Sequence, residues 1–398
     1  MNCLIAQSGG PTTVINASVY GVIKRNNKLN IYNTVFGGIN GIEGILEEKL
    51  VNLSALDEER LEVLKNTPSS ALGSCRYKLK DYLVDDSEYK KIVKILIKYE
   101  IETFFYIGGN DSMDTVSKLA EYMEKNNIEI KVIGIPKTID NDLVQLDHAP
   151  GYPSAAKFIY NSVLETYLDS VVYGKNGVFI LETMGRETGW LAIAAALAKI
   201  KGNLCVDLLY IPEIPFSKEK FLEDIKKVCE KKNSVYIVVA EGIKDKQGNF
   251  ISAELAPFDK FGHKQLGGVG LALRNVILEN GVANKVRVLE LNTLQRAAIH
   301  CASKNDLSEA SYVGAYALQH SKECKNGSMV GIRVASREPY RSEPYLLLAK
   351  EVANQTKFVP EGWLLENFKL SEEAHEYIKS LIKDEDLFYQ RKFESFLV

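Results

Sequence analysis

Residues 136–142 read PKTIDND, which places Lys137 beside two aspartates, Asp140 and Asp142, directly after the apolar run KVIGI. One carboxylate of such a pair can accept a proton from a hydroxyl nucleophile while the other helps to hold a divalent cation. The lysine can neutralise charge on a transferring phosphoryl group. The alternative is an aspartate-rich turn beside a solvated lysine, which accounts for DND better than for Lys137.

Two glycine-rich turns offer places for an anion. SGG at 8–10 precedes a predicted helix, and IGGND at 107–111 adds amide and carboxylate side chains to the same kind of turn. Glycines let backbone N–H groups approach a phosphate at a helix N-terminus, although a plain strand-to-helix turn accounts for SGG about as well. The chain lacks the Walker A pattern, and its first glycines do not form G-x-G-x-x-G, so ordinary P-loop and dinucleotide-binding folds lose support.

Arginines in three further motifs could hold a phosphorylated ligand, because the guanidinium fork matches phosphate oxygens. The motifs are LGSCR at 72–76, MGRETG at 184–189 and RVLELNTLQR at 287–296. Each arginine taken separately is more often structural, for example in a surface ion pair.

Short apolar runs alternate with amphipathic stretches along the chain, which predicts an α/β fold with parallel sheets covered on both faces. Five predicted strands run directly into polar or glycine-rich motifs, namely SGG, IGGNDS, PKTIDND, ETMGRETG and AEG. Ligands of such sheets bind beyond the carboxyl ends of the strands. We therefore expect all five motifs to lie at one edge.

The composition is that of a globular protein and excludes several function classes. The 398 residues exceed one ordinary core, so two domains are expected. A net charge of −3 gives no general attraction to nucleic acid or to an anionic membrane. The six scattered cysteines form no C-x-x-C pair, which favours reduced thiols in a cytoplasmic protein. No signal peptide is apparent at the start of the chain, and the most apolar helical stretch, WLAIAAALA, is far shorter than the about 20 residues of a membrane span.

Taken in order along about 300 residues, these motifs resemble those of the phosphofructokinase family. The ordered set is SGG, GSCR, IGGNDS, PKTIDND, MGR, AEG and LQR. The chain most resembles the pyrophosphate-dependent branch, because members that use ATP typically carry glycine where this chain has Asp111 and Lys137. A carboxylate at Asp111 would repel the α-phosphate of ATP, and Lys137 would supply a fixed positive charge near the departing phosphate.

The resemblance implies a role for each matching residue. Asp140 would be the base for the C1 hydroxyl of fructose 6-phosphate, Thr138 would contact sugar or phosphate, and Asp142 would help to position Mg²⁺. The residues implied on the phosphoryl-donor side are Gly10, Arg76, Gly108, Gly109, Asn110, Asp111 and Ser112. Those implied for binding the sugar phosphate, beside Thr138 and Asp140, are Met184, Gly185, Arg186, Glu241, Arg287, Thr293 and Arg296. Arg287 would reach in from a neighbouring subunit of a homodimer or homotetramer.

The chain departs from the family pattern at two of these positions. The metal-linked aspartate that usually follows the diglycine is Asn110 here, whose amide can still accept a metal bond but brings no charge. Thr293 stands where the family has histidine or tyrosine, which leaves the choice of sugar phosphate open and makes sedoheptulose 7-phosphate a plausible second acceptor. These departures also motivate one rival, a catalytically inactive sugar-phosphate sensor, although the intact TIDND argues against it.

The resemblance implies two doubly wound, Rossmann-like α/β domains with the active site in the cleft between them. We expect a phosphoryl-donor-binding domain at 1–139 with a return segment at about 290–345. The fructose-6-phosphate-binding domain would be 140–289 with C-terminal helices at about 346–398. The implied reaction is Mg²⁺-dependent phosphoryl transfer from pyrophosphate to fructose 6-phosphate, readily reversible because pyrophosphate and product differ little in phosphoryl potential. An ATP-dependent 6-phosphofructokinase is the other rival.

Overall fold

The computed structural model describes residues 1–172, 177–252 and 268–382. The strands of this part are β1 (Asn2–Gln7), β2 (Val35–Gly38), β3 (Leu50–Asn52), β4 (Ile101–Gly108), β5 (Lys131–Pro136), β6 (Gly177–Thr183), β7 (Lys199–Ile200), β8 (Asn203–Leu204), β9 (Leu208–Tyr210), β10 (Ser234–Ala240), β11 (Val286–Glu290), β12 (Ser328–Arg337) and β13 (Tyr340–Leu348).

The helices of the same part follow the strands at close intervals. They are α1 (Ile15–Leu29), α2 (Gly41–Leu46), α3 (Glu58–Lys65), α4 (Ser87–Lys98), α5 (Asn110–Lys125), α6 (Tyr152–Ser170), α7 (Trp190–Ala195), α8 (Lys218–Cys229), α9 (Val269–Glu279), α10 (Lys304–Gln319) and α11 (Glu372–Ile382). Short 3₁₀ helices occur at Leu53–Ala55, Asn292–Arg296, Ile299–Cys301 and Ala349–Glu351. None of the helices in these ranges is both long and apolar enough to cross a membrane.

The chain forms two compact units. The first combines Met1–Ser154 with Arg296–Lys357, and the second combines Ala155–Gln295 with the stretch that begins at Phe358. The first unit therefore extends about 15 residues beyond 139 and about 12 beyond 345, the limits expected from the sequence. A physical reason lies in the hydrogen bond from the Lys357 amide to the Asp142 carbonyl, 2.8 Å long, which joins the two extensions.

A seven-stranded sheet in the order β13-β12-β5-β4-β1-β2-β3 forms the centre of the first unit. Every neighbouring pair from β12 to β2 is parallel, whereas the pairs β12–β13 and β2–β3 at the two edges are antiparallel. The inner strands β1, β4 and β5 are almost wholly buried, as expected for strands covered on both faces.

Helices cover both faces of this sheet. On one face Ile5 and Phe105 pack in a cluster with residues of α1 and α10 such as Val22 and Val313. On the other face Leu4, Phe104 and Val132 pack with residues of α2, α4 and α5. The first unit is thus doubly wound.

The second unit is built on a parallel four-stranded sheet in the order β11-β6-β10-β9. One face of the sheet, including Ile180 and Val239, packs in a cluster with Phe221 of α8 and Leu273 of α9. On the other face the ring of Tyr236 contacts Tyr167 of α6. The α/β class with parallel sheets expected from the sequence is confirmed in both units.

The expectation that five motifs share one edge is wrong. Strands β1, β4 and β5, with their three motifs, belong to the seven-stranded sheet, whereas β6 and β10 belong to the four-stranded sheet. Each sheet therefore has its own edge of functional motifs. Of the expected C-terminal helices, α11 is present in the second unit, and residues 383–398 lie outside the described part.

Candidate active site

Lys137 joins the two glycine turns of the first unit. It follows β5, is only 3% exposed, and its Nζ donates a hydrogen bond of 2.7 Å to the Gly10 carbonyl. Its backbone N–H donates to the Gly108 carbonyl at 3.0 Å. Because β1, β4 and β5 are neighbours in the sheet, their carboxyl ends bring SGG, IGGND and PKTIDND to one place.

The electrostatic surroundings of Lys137 show which charged residues lie near it. Burial lowers the pKa of Lys137 to about 8, because removing the ammonium from water disfavours its charged form. The carboxylates of Asp140 and Asp142 oppose this shift, whereas the guanidinium groups of Arg296 and Arg76 add to it. The structure thus brings three cationic side chains and two carboxylates together at one end of the sheet.

The diglycine turn allows close approach of backbone and side chains. A Cβ atom on Gly108 would lie 1.9 Å from Ser112 Oγ, so only glycine fits between β4 and the first turn of α5. Ser112 Oγ in turn donates to Ser8 Oγ at 3.0 Å, which links the turn to SGG. Helix α5 begins after Gly109 without a side-chain cap from the described residues, and its dipole favours an anion at this end.

The carboxylate pair follows Lys137 in a tight loop. Thr138 Oγ1 accepts the Asp140 N–H at 3.1 Å, which fixes the loop locally. Burial, followed by the charge of Asp140, raises the pKa of Asp142. Asp142 Oδ1 is buried and has no hydrogen-bond partner among the described residues. An oxygen in this state, next to a second carboxylate, is suited to a cation.

These donors fit Mg²⁺ and its usual manner of binding. No group of three or more His, Cys, Asp or Glu residues that could hold a metal occurs in ranges 1–172, 177–252 and 268–382. Mg²⁺ is commonly held by one or two carboxylates together with water and substrate phosphate oxygens. Asp142, with Asp140 beside it, meets that description.

Three other residues expected on the donor side occupy distinct positions. Asp111 lies exposed in the first turn of α5, and Arg76 lies exposed after the turn that contains Gly73. The Asn110 amide is engaged by the return segment, since its Oδ1 accepts the Asn354 N–H at 2.6 Å and its Nδ2 donates to the Gln355 carbonyl. Its expected role at the metal stays a prediction.

The second unit presents MGR at the end of β6. Gly185 has φ +127°, and a Cβ there would lie 2.5 Å from the Thr188 carbonyl oxygen, so glycine is required. The Gly185 carbonyl accepts the Gly242 N–H at 3.1 Å, which fixes MGR beside AEG and its Glu241. Arg186 Nε is buried without a hydrogen-bond partner in the described part of the chain, which leaves a donor suited to an anionic or hydroxylated ligand.

Gln295 orients this second group of residues, and the sequence motifs alone assigned it no role. It is fully buried, and its Oε1 accepts the Met184 N–H at 3.2 Å while its Nε2 donates to the Asn292 carbonyl at 2.9 Å. Its neighbour Thr293 is exposed. The LQR motif therefore holds MGR in place through its glutamine.

The two ends of the arginine motif differ in their surroundings. Arg287, on edge strand β11, makes an ion pair of 3.1 Å with Asp169 of α6. Arg296 lies against the first glycine turn, where its Nη1 would be 3.1 Å from a Cβ on Gly10. The boundary between the two units falls directly before Arg296.

The predicted site residues thus form two groups, one in each unit. The first unit contains Gly10, Arg76, Gly108, Gly109, Asn110, Asp111, Ser112, Lys137, Thr138, Asp140, Asp142 and Arg296. The second unit contains Met184, Gly185, Arg186, Glu241, Arg287 and Thr293. Sequence reasoning also missed Lys357, whose side chain contacts the loop after Asp140; a single lysine in the polar stretch NQTKF offers no signal of that contact.

A doubly wound unit with two glycine turns, a buried lysine and paired aspartates at one sheet edge is suited to phosphoryl transfer. This chain belongs to the phosphofructokinase family. The family model described as "Phosphofructokinase" matches residues 2–320. The resemblance inferred from the ordered motifs is therefore confirmed.

Two similar proteins and one solved structure are named for pyrophosphate. The pyrophosphate–fructose 6-phosphate 1-phosphotransferase of Halomonas elongata is 39% identical over 390 residues, which cover 97% of this chain and 92% of that protein. The protein of the same name from Xanthomonas campestris pv. campestris is 38% identical over 387 residues, covering 96% and 92%. A crystal structure of the pyrophosphate-dependent phosphofructokinase of Nitrosospira multiformis matches with a TM-score of 0.86 at 35% identity, covering 97% and 92%.

Proposed function

We propose that this chain transfers a phosphoryl group from pyrophosphate to the C1 hydroxyl of fructose 6-phosphate, giving fructose 1,6-bisphosphate and phosphate in a readily reversible reaction. The observation that carries the proposal is Lys137, whose buried ammonium binds the first glycine turn and whose backbone N–H binds the second, beside two carboxylates. The relatives named for this reaction, which match along nearly the whole chain, support the same donor and acceptor.

In the proposed reaction the first unit binds pyrophosphate and activates the sugar hydroxyl. The backbone of Gly10, Gly108 and Gly109 approaches the pyrophosphate. The positive charges of Lys137 and Arg76 stabilise the charge that develops on the phosphate during transfer. Arginine and lysine differ in this task, because the guanidinium fork can hold two oxygens at once whereas the ammonium acts as a point charge.

Asp140 acts as the general base that removes the proton from the C1 hydroxyl. The proton passes to the Asp140 carboxylate as the hydroxyl oxygen forms its bond to phosphorus and the bond to the departing phosphate breaks. Asp142 would hold Mg²⁺, which when bound neutralises phosphate charge. The buried Asp142 Oδ1, without a partner in the described residues, supports this assignment.

We assign recognition of fructose 6-phosphate to the second group of residues, with Arg186 as the main donor. The support is the buried Arg186 Nε without a partner among the described residues, held in an MGR turn that Gln295 orients. Glu241 follows β10, where its backbone N–H donates to the Thr183 carbonyl at 2.9 Å, and we assign its carboxylate to accept hydrogen bonds from the sugar hydroxyls. Arg296 would pair with the 6-phosphate.

We further propose a cytoplasmic homodimer or homotetramer in which Arg287 serves the site of a neighbouring subunit. Within one chain Arg287 is half-buried and paired with Asp169. Because such a partly exposed pair is worth only about 1 kcal/mol or less, the arginine could exchange it for a phosphate. Sedimentation equilibrium tests the assembly, and a monomeric active enzyme would contradict it.

The experiment that tests the function compares Asp140→Asn with the parent protein. We expect turnover of pyrophosphate and fructose 6-phosphate to fall about 10³-fold or more, because a base of this kind contributes roughly 10²- to 10⁴-fold. Binding of fructose 6-phosphate, measured by calorimetry, should be retained. Asp57→Asn is the matched control, since Asp57 caps α3 through the Arg60 N–H and asparagine caps equally well.

The outcome also separates the rival functions. A parent protein that binds fructose 6-phosphate but turns over neither donor would favour a sugar-phosphate sensor. A parent protein active only with ATP would favour an ATP-dependent 6-phosphofructokinase. Full activity of the Asp140→Asn variant would overturn the assignment of the base.

A further inference from the structure

We propose that residues 354–357 form a clasp. The clasp fixes the diglycine turn before α5 and the loop that carries Asp140 and Asp142 relative to each other, and Asn110 is its polar anchor. The proposal deepens the function proposed above and rests on it, since it assigns positioning residues to the same site. The clasp belongs to the return segment of the first unit and begins three residues after the end of the 3₁₀ helix Ala349–Glu351.

At one end of the clasp, Asn110 binds the backbone of residues 354 and 355. Its Oδ1 accepts the Asn354 N–H at 2.6 Å, and its Nδ2 donates to the Gln355 carbonyl. The side chain of Asn354 donates to Asp114 Oδ1 at 2.9 Å, one turn further along α5. The start of α5, which follows the diglycine, is therefore attached to the clasp by three hydrogen bonds.

At the other end, Lys357 binds the loop that carries the two carboxylates. Its backbone N–H donates to the Asp142 carbonyl at 2.8 Å. Its Nζ donates to the carbonyls of Leu146 at 3.1 Å and Asp147 at 2.8 Å, with Asn141 Oδ1 at 3.4 Å. An ammonium has three donors, so one lysine can satisfy three acceptors that belong to different parts of a loop.

The residue types at both ends suit these contacts. The amide of Asn110 can donate to one backbone group and accept from another, whereas an ionised aspartate at 110 could only accept and would place a carboxylate against the Gln355 carbonyl. This gives a physical reason for Asn110 where the family usually has aspartate. Asn110 brings no negative charge to a metal, but its amide holds the return segment through one accepted and one donated hydrogen bond.

The loop needs such support because its backbone is strained between the carboxylates. Asn141 has φ +53°, in the left-handed region that costs energy for residues other than glycine. Its side chain accepts the Ala149 N–H at 3.1 Å and also faces Lys357 Nζ. Backbone conformations of this kind persist when many surrounding contacts hold them in place. Lys357 supplies four of these contacts, one through its backbone N–H and three through its Nζ.

The first test measures the clasp without relying on activity. Amide hydrogen exchange is compared in the parent protein, Lys357→Met and the matched control Lys350→Met, which alters an exposed lysine of the same segment. We expect exchange across residues 138–148 to be at least about tenfold faster in Lys357→Met, because local opening becomes easier, and unchanged in the control. Equal exchange in all three proteins would overturn the proposal.

The second test separates a clasp from a metal ligand at Asn110. In Asn110→Asp we expect kcat to fall about 10- to 100-fold through misplacement of the reacting groups, with the Mg²⁺ concentration for half-maximal rate unchanged. A metal role predicts the opposite, since the added charge would lower that Mg²⁺ concentration, and this result would overturn our assignment. Faster amide hydrogen exchange at residues 110–113 in the same variant supports the clasp even if the parent protein fails to turn over pyrophosphate. The clasp and the proposed function can therefore be refuted independently.

Discussion

Replacement of His148 by glutamine should make the stability of the protein less dependent on pH. His148 is fully buried in the first unit, and its Nδ1 lies 3.0 Å from Asp147 Oδ1 while its Nε2 lies 2.8 Å from Glu309 Oε2 of α10. Arg337 of β12 binds the other oxygen of Asp147 at 2.8 Å, and the hydroxyl of Tyr340 on β13 donates to Glu309 Oε1 at 2.6 Å. The imidazole thus lies between two carboxylates.

The magnitude follows from the pKa of this imidazole. Burial alone lowers the pKa of His148, but the carboxylates of Glu309 and Asp147 outweigh burial and raise it from 6.5 to about 9. At about 1.36 kcal/mol per pKa unit, the difference is worth about 3 kcal/mol of stability. Because the pKa is higher in the folded state, this stability is fully present below pH 6.5 and is lost as the pH rises through about 9.

The assay compares the parent protein with His148→Gln by denaturation at pH 6 and at pH 10. We expect the free energy of unfolding of the variant to fall below that of the parent by about 3 kcal/mol more at pH 6 than at pH 10. Other titrating groups are common to both proteins, so their contributions cancel in this comparison. Histidine-selective NMR supplies the direct check, in which one ring titrates near pH 9 in the parent and is missing in the variant. A deficit of equal size at both pH values, with no ring titrating above pH 7.5, would refute the reasoning.

Two further predictions concern the charges of the site. Lys137→Met should lower kcat with pyrophosphate about 10²- to 10³-fold, by analogy with the loss of one preorganised donor. Binding of fructose 6-phosphate, measured by calorimetry, should be retained. A change in kcat below threefold would show that the buried ammonium does not act on the transferring phosphate. Arg186→Met should raise KM for fructose 6-phosphate about tenfold or more, as expected for loss of a charge-assisted hydrogen bond, and should leave KM for pyrophosphate unchanged. Lys244→Met, at an exposed pair with Glu187 in the same unit, is the control, and equal effects in both variants would contradict a specific role for Arg186.

The α/β class and the donor side of the site could be predicted from sequence because both depend on local patterns. Buried parallel strands appear as continuous apolar runs, as in TFFYIG before Gly109 and KVIGIP before Lys137. Since the carboxyl ends of adjacent parallel strands lie side by side, motifs that end such strands are brought together. The contact from Lys137 to Gly10 is a direct consequence.

Other features depend on contacts between distant parts of the chain and left little trace in the sequence. Helix α9 (Val269–Glu279) and strand β13 (Tyr340–Leu348) were not predicted from the sequence, and β13 is placed by its antiparallel pairing with β12. The assignment of strands to two sheets also depends on such pairing, which is why a single edge was expected. Lys357 and Gln295 act through loop carbonyls and backbone amides, for which no spacing rule exists.

The measurement that tests the central claim most directly is a coupled assay of the purified protein with fructose 6-phosphate and Mg²⁺, supplied with pyrophosphate in one arm and ATP in the other. We predict formation of fructose 1,6-bisphosphate with pyrophosphate and none above background with ATP, as expected if Asp111 and Lys137 select the smaller donor. Turnover with ATP and none with pyrophosphate would contradict the account.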